Sequence, residues 1–167
     1  PPRLLLHTLL GEKRVTARVR IGDPHAFAST LPGVDHREQE EAANLSLGRP
    51  YPQKVLILQR LRMKSLTYGL RAMQSIRQNG YLLMGEIDDN PMLWQDAYEA
   101  TRFIDFIGCH ALQCSTAALA DLLRPYNPHG FIFRNELRAL PPKRLPPRQN
   151  EPVTIFFGAL NRTEDCR

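Results

Sequence analysis

Two adjacent acids at the end of an apolar run are the first residues in this chain whose types and placement could do chemistry. Asp88-Asp89 follows Tyr81-Leu-Leu-Met84-Gly-Glu-Ile87, and carboxylates at a strand end can orient a sugar hydroxyl or hold Mg²⁺. They are adjacent rather than spaced Asp-x-Asp, so no metal site is expected. One of the two must point away. Asp88 is the candidate catalytic residue, while Asp89 together with Asn90 equally suits a helix cap that complements the helix dipole. Gln59-Arg60 ends another apolar run and offers two fork-shaped donors to the same crevice, or a solvated charge. Ser115-Thr116 opens a helix, where backbone N–H groups suit a phosphate and where an ordinary cap is also expected. Gly22-Asp23, Asn135 and Gly158 close further strand-like runs and complete the candidate binding residues.

Other reactive residue types point elsewhere. Cys109, His110 and Cys114 would need more ligands for zinc, and strand alternation sends the two thiols to opposite faces, so core packing accounts for them. His7, His25, His36 and His129 are scattered. Of these only His25, beside the first strand-end loop, is placed to act, and a surface imidazole is its plainer identity.

The elements that must position these residues read as strand and helix units. Val15-Thr-Ala-Arg-Val-Arg-Ile21 alternates and is rich in β-branched residues, which predicts a half-buried strand ending at Gly22-Asp23. A short helix with proline in its first turn follows from Pro24 to Leu31, and residues 35–50 read mostly as loop. Val55-Leu-Ile-Leu58 is a continuous apolar run of the kind found in parallel sheets covered on both faces. Leu66, Leu70 and Met73 then recur at helical spacing, and Asn79-Gly80 suits a helix stop. After the run from Tyr81, Asn90-Pro91 can cap and open a helix carrying Leu93, Trp94, Ala97, Tyr98 and Ile104. Cys109–Cys114 reads as a strand, 117–123 as a helix capped by Ser115-Thr116, and Phe131-Ile-Phe133 as a further strand. Runs starting at Val55, Tyr81, Ala111 and Phe131 are separated by 26, 30 and 20 residues, about the length of repeated βα units. The fold class expected is α/β, a Rossmann-like parallel sheet with flanking helices.

The chain has 167 residues, 43% of them apolar, enough for a sizeable core, and a net charge of 22 − 17 = +5. Basic residues are dispersed and no motif with interleaved aromatics appears, so nucleic acid is not an expected partner. The charge suits phosphorylated small molecules or an anionic membrane surface met peripherally. Three cysteines without a CxxC suggest a reducing compartment, hence a cytoplasmic setting. No apolar run approaches the roughly 20 residues that cross a bilayer, and Leu4-Leu5-Leu6 is too short for a signal peptide. The start at Pro1 and a strand-like run near Arg167 suggest a piece of a longer protein. Residues 1–135 are expected to form a Rossmann-like domain, 136–151 a proline-rich linker, and 152–167, with Val153-Thr-Ile-Phe-Phe157, the first strand of a second domain.

In sequence order, Val55-Leu-Ile-Leu-Gln-Arg60, Glu86-Ile-Asp-Asp89, Gln113-Cys-Ser-Thr-Ala-Ala-Leu-Ala120, Arg134-Asn135 and Phe157-Gly-Ala-Leu-Asn161 resemble the motifs of GT-B glycosyltransferases of the family 4-like kind. The resemblance spans roughly residues 15–161. It implies one half of a GT-B architecture, in which an N-terminal domain presents a glycan or other hydroxyl acceptor and a second domain binds a nucleotide-sugar donor. Transfer would be metal-independent and would need no cofactor, departing diphosphate being stabilised by basic side chains and helix N-termini. Asp88 would orient the acceptor, Arg60 would contact phosphate or acceptor, and Gly22 with Asp23 would form the cleft loop. Gly158 would belong to the donor phosphate loop, where backbone amides approach a diphosphate. The chain departs from that pattern at the first strand, whose glycine-rich turn is reduced to Gly22-Asp23.

Two other readings use the same fold. A signalling receiver domain needs an acidic pair, a phospho-acceptor Asp, a Ser/Thr and a Lys at strand ends, and Asp88-Asp89 with Ser115-Thr116 supply two of the four. A non-catalytic binding module needs none of them.

Overall fold

The computed structural model describes residues 4–11, 18–60 and 62–134. Six strands form one all-parallel sheet: β1 (Leu4–Leu10), β2 (Val34–Glu40), β3 (Gln53–Gln59), β4 (Leu82–Ile87), β5 (Ala111–Cys114) and β6 (Gly130–Ile132), in the order β2-β1-β3-β4-β5-β6. This is the α/β, Rossmann-like arrangement expected, with its first five strands in the flavodoxin-like order. The helices are α1 (Asp23–Ala28), α2 (Leu66–Gln78), α3 (Gln95–Ala100), α4 (Ile104–Ile107) and α5 (Ala117–Leu123).

Strand order and handedness together decide which face each helix covers. Crossovers between parallel strands are right-handed, so a chain that moves one way across the sheet puts its connections on one face, and reversal puts them on the other. From β3 to β6 the chain moves steadily away from β1. Helices α2, α4 and α5 accordingly bury Met73, Ile76, Ile104, Phe106, Leu119 and Leu123 in one core with Leu5, Leu56, Leu58, Leu83, Leu112 and Cys114. The β1-to-β2 crossover moves the opposite way. Its described part, a π-helical turn over Arg18–Gly22 followed by α1, lies on the other face, across a cavity from Leu6, Val55, Ile57 and Met84.

Several strand and helix limits agree with the sequence reading. Asn79 closes α2 before Gly80, whose φ of +76° suits glycine, while the start of α2 is capped by Ser65, not singled out in the sequence, which accepts from the Tyr68 N–H. Thr116 caps α5 by accepting from the Leu119 N–H. The inward face of α2 nevertheless differs: Gly69, Met73 and Ile76 are buried while Leu70 is exposed. The single helix expected after Asn90 is broken into a 3₁₀ turn (Pro91–Trp94), α3 and α4. Arg102 and Phe103, both at left-handed φ, make the break between α3 and α4.

The first third of the chain required correction. The strand expected over Val15–Ile21 is helical where it is described, and Val15–Ala17 lie outside the described residues. Arg20 and Ile21 are both buried, which adjacent residues on a one-sided strand would not be. The real first strand is Leu4–Leu10, masked in the sequence by His7 and Thr8. Both are buried and find partners only in the fold: the His7 ring nitrogens lie 2.9 Å from Gln39 Oε1 and 3.3 Å from the Tyr81 hydroxyl, and Thr8 Oγ1 lies 3.1 Å from His25 Nε2. Residues 35–40, within a stretch read mostly as loop, form β2 together with Val34. This polar edge strand owes its extended form to seven-residue parallel pairing with β1, and its charges guard the free edge. No helix among the described residues is long and apolar enough to cross a membrane.

Candidate functional site

Three neighbouring strands deliver polar groups to one point at the carboxyl edge of the sheet, where α/β folds bind ligands. Arg60 directly follows β3 at a left-handed φ of +49°, a strained setting for a residue with a Cβ, and its backbone N–H donates to the Glu86 carbonyl oxygen at 3.0 Å. The turn aims its guanidinium across to the segment after β4. There Nε donates to Asp88 Oδ1 and Nη2 to Asp89 Oδ2. Ser115, after β5, donates from Oγ to the Asp88 carbonyl oxygen at 3.2 Å. Burial alone would lower the Arg60 pKa, but Asp88, then Asp89 and Glu86, outweigh it and raise the value above ordinary.

The sequence-predicted residues therefore divide. Arg60, Asp88, Asp89 and Ser115 meet. Neither acid points away, because one forked guanidinium spans both, and Asn90 alone caps the following 3₁₀ turn by accepting from the Met92 N–H. Thr116 is used as a cap. Gln59 is 1% exposed at the end of β3, beside Glu86 in the pairing register, and its Oε1 has no hydrogen-bond partner among the described residues. Gly22 and Asp23 are not a strand-end loop: Gly22 has helical angles and Asp23 begins α1. Asn135 and Gly158 lie outside the described residues, as do residues 136–151 and 152–167.

The glycine that does follow the first strand is Gly11. Its N–H donates to the Gln59 carbonyl oxygen at 2.9 Å, and a Cβ there would stand 2.6 Å from that oxygen. It sits between β1 and β3, where the sheet reverses its winding. The leucines on either side of His7-Thr8, Leu4-Leu5-Leu6 and Leu9-Leu10, were the available signal.

Beneath this edge lies a buried ion pair that sequence reasoning missed. Arg20 Nε donates to Glu86 Oε1 at 2.6 Å, and its Nη1 donates to the Phe133 carbonyl oxygen at 3.0 Å. Arg20 is 5% and Glu86 2% exposed. Burial pushes the Glu86 carboxyl above the usual carboxylate range despite Arg20, and Glu86 Oε2 has no partner among the described residues. Nothing in the pattern around Arg20, taken for a strand, signalled the pair.

The cysteines Cys109 and Cys114 are buried and free. Cys109 precedes β5 rather than alternating along it, so both thiols serve the helix-covered core. Burial, then Asp105, pushes the Cys109 thiol up to about 12, which leaves no thiolate for chemistry. His25 is a buried rather than a surface imidazole, and burial lowers its pKa. No protein-family model matches the chain, and no curated protein matches it.

Proposed function

We propose that this chain is the acceptor-side half of a GT-B glycosyltransferase of the family 4-like kind, transferring a sugar from a nucleoside diphosphate sugar to an acceptor hydroxyl without a metal. The observation that carries the reading is the convergence of Arg60, Asp88, Asp89 and Ser115 at the ends of adjacent parallel strands. Asp88 is held by Arg60 through its side chain and by Ser115 through its backbone. A carboxylate fixed in this way accepts a hydrogen bond from a sugar or other hydroxyl at a set angle, which is how positioning lowers a barrier. Arg60 is already engaged by two carboxylates, so its role is to position them; phosphate contact falls to the donor half. The setting is taken as cytoplasmic, and nucleic acid is not among the partners.

The receiver reading loses ground on the same geometry. Both acids after β4 are occupied by Arg60, and β3 ends in Gln59-Arg60 where a strand-end acid would be wanted. A non-catalytic binding module is separated by experiment.

The test is titration of the whole protein with nucleotide-sugars, followed by turnover with hydroxyl acceptors. Saturable donor binding and turnover are expected. Asp88→Asn, which keeps the shape but removes the charge, should lower turnover about 100-fold or more, with the loss in acceptor kcat/KM and not in donor affinity. Unchanged turnover removes Asp88 from the mechanism, and absence of saturable nucleotide-sugar binding removes the transferase.

A further inference from the structure

We propose that His25, His36 and Glu38 form a binding site for a transition-metal dication of the zinc class, which clasps helix α1 to the edge strand β2. His36 and Glu38 are two apart on a strand, so both project from the same face. Alternation sends Arg37 between them to the opposite face, where it pairs with Asp35. Helix α1 lies over the first face and brings His25 down onto them. The three side chains each offer one ligand atom, all within 4.8 Å of one another, and the two imidazole rings sit 4.6 Å apart at a tilt of 44°.

The His25–Glu38 distance fits a small tetrahedral ion, and His36 stands within reach of the same point. His25 Nδ1 lies 3.2 Å from Glu38 Oε1. Two ligands bound to zinc at its usual N and O distances, with a tetrahedral angle between them, stand about 3.3 Å apart. The other ring nitrogen is also provided for: His25 Nε2 lies 3.1 Å from the hydroxyl of Thr8, which is fully buried. A metal-bound histidine characteristically donates its second N–H to an acceptor that fixes tautomer and ring orientation, and Thr8 Oγ1 is that acceptor here. His25 Nδ1 faces the Glu38 carboxylate, and a bound ion would take the place between them.

Two imidazoles and one carboxylate select borderline metals such as Zn²⁺, Co²⁺ or Ni²⁺ over Mg²⁺ or Ca²⁺, which prefer oxygen-only sets. His25 is 4% exposed, whereas the Glu38 side chain is 38% exposed, so the fourth position opens to solvent and takes water. The site is built from α1, β1 and β2 instead of the ends of β3 to β5. It neither rests on the transferase reading nor alters its metal-independent chemistry.

The test uses the untagged chain, stripped of metal and titrated with ZnCl₂ by calorimetry and with Co²⁺ by visible absorption. One equivalent should bind saturably, with Co²⁺ giving the visible bands of four-coordinate nitrogen and oxygen ligation. His36→Ala and Glu38→Ala alter partly exposed positions and should each weaken binding at least about tenfold, and Thr8→Val about 10- to 100-fold, with far-ultraviolet circular dichroism unchanged. His129→Ala, on a distant loop, should leave affinity as it was. Absence of saturable binding by the native chain overturns the proposal, and so does unchanged affinity in either the His36 or the Glu38 variant.

Discussion

Arg20 and Glu86 show how much a single residue's partner matters in this protein. Each is almost fully buried, and removing two charges from water is costly unless they remain paired. Arg20→Met should therefore destabilise the chain by about 3–5 kcal/mol, because it strands a buried carboxylate, whereas adding Glu86→Leu should restore most of the loss. Urea denaturation of the two single variants and the double variant measures this coupling, and additive losses would refute it. The candidate site at Arg60, Asp88 and Asp89 was partly legible from the sequence, since all three stand at the ends of apolar runs. What was not legible is that one guanidinium holds both acids. That depends on the left-handed turn at Arg60, a backbone state ordinarily associated with glycine.

Among the elements, those closed by local chemistry were readable and those made by distant pairing were not. The Thr116 cap and the Asn79 stop are bonds within one turn of chain, so their signals are written side by side. Strand β2 has almost no strand propensity; hydrogen bonds to β1 impose its conformation. Strand β1 in turn hides behind His7 and Thr8. The junction between β1 and β3 at Gly11 yields a prediction at this scale. A methyl group added there meets the backbone oxygens of Gln59 at 2.6 Å and Arg60 at 2.9 Å, neither of which can swing aside as a side chain would. Gly11→Ala should cost about 1–3 kcal/mol by forcing the two strand ends apart, read as a lower denaturation midpoint with an unchanged slope. An unshifted midpoint would show that the switch point tolerates spreading.

At the scale of the whole molecule, the described residues cover the two faces of the sheet unequally. Among the described residues, α2 to α5 crowd one face, and only the Arg18–Ala28 segment lies on the other. A cavity of about 590 Å³ opens there, floored by Leu6, Val55, Ile57 and Met84. Adjacent residues of β4 report the asymmetry: Leu83 is 0% exposed on the helix-covered face, and Leu82 is 44% exposed on the other. Leu83→Ala should cost about 2–5 kcal/mol and Leu82→Ala under about 1 kcal/mol in the same denaturation experiment. Equal losses would mean that the second face is covered in solution.

By itself the sequence determined the α/β class, the parallel strands from Val55 onward and the polar residues at their ends, because apolar periodicity and capping act within a few residues of chain. Only the tertiary structure decided that Leu4–Leu10 is the first strand, that Arg20 belongs to Glu86, and that His25 leans over His36 and Glu38. Those outcomes depend on which distant segments the right-handed crossovers bring together, and no local pattern encodes the identity of a partner dozens of residues away.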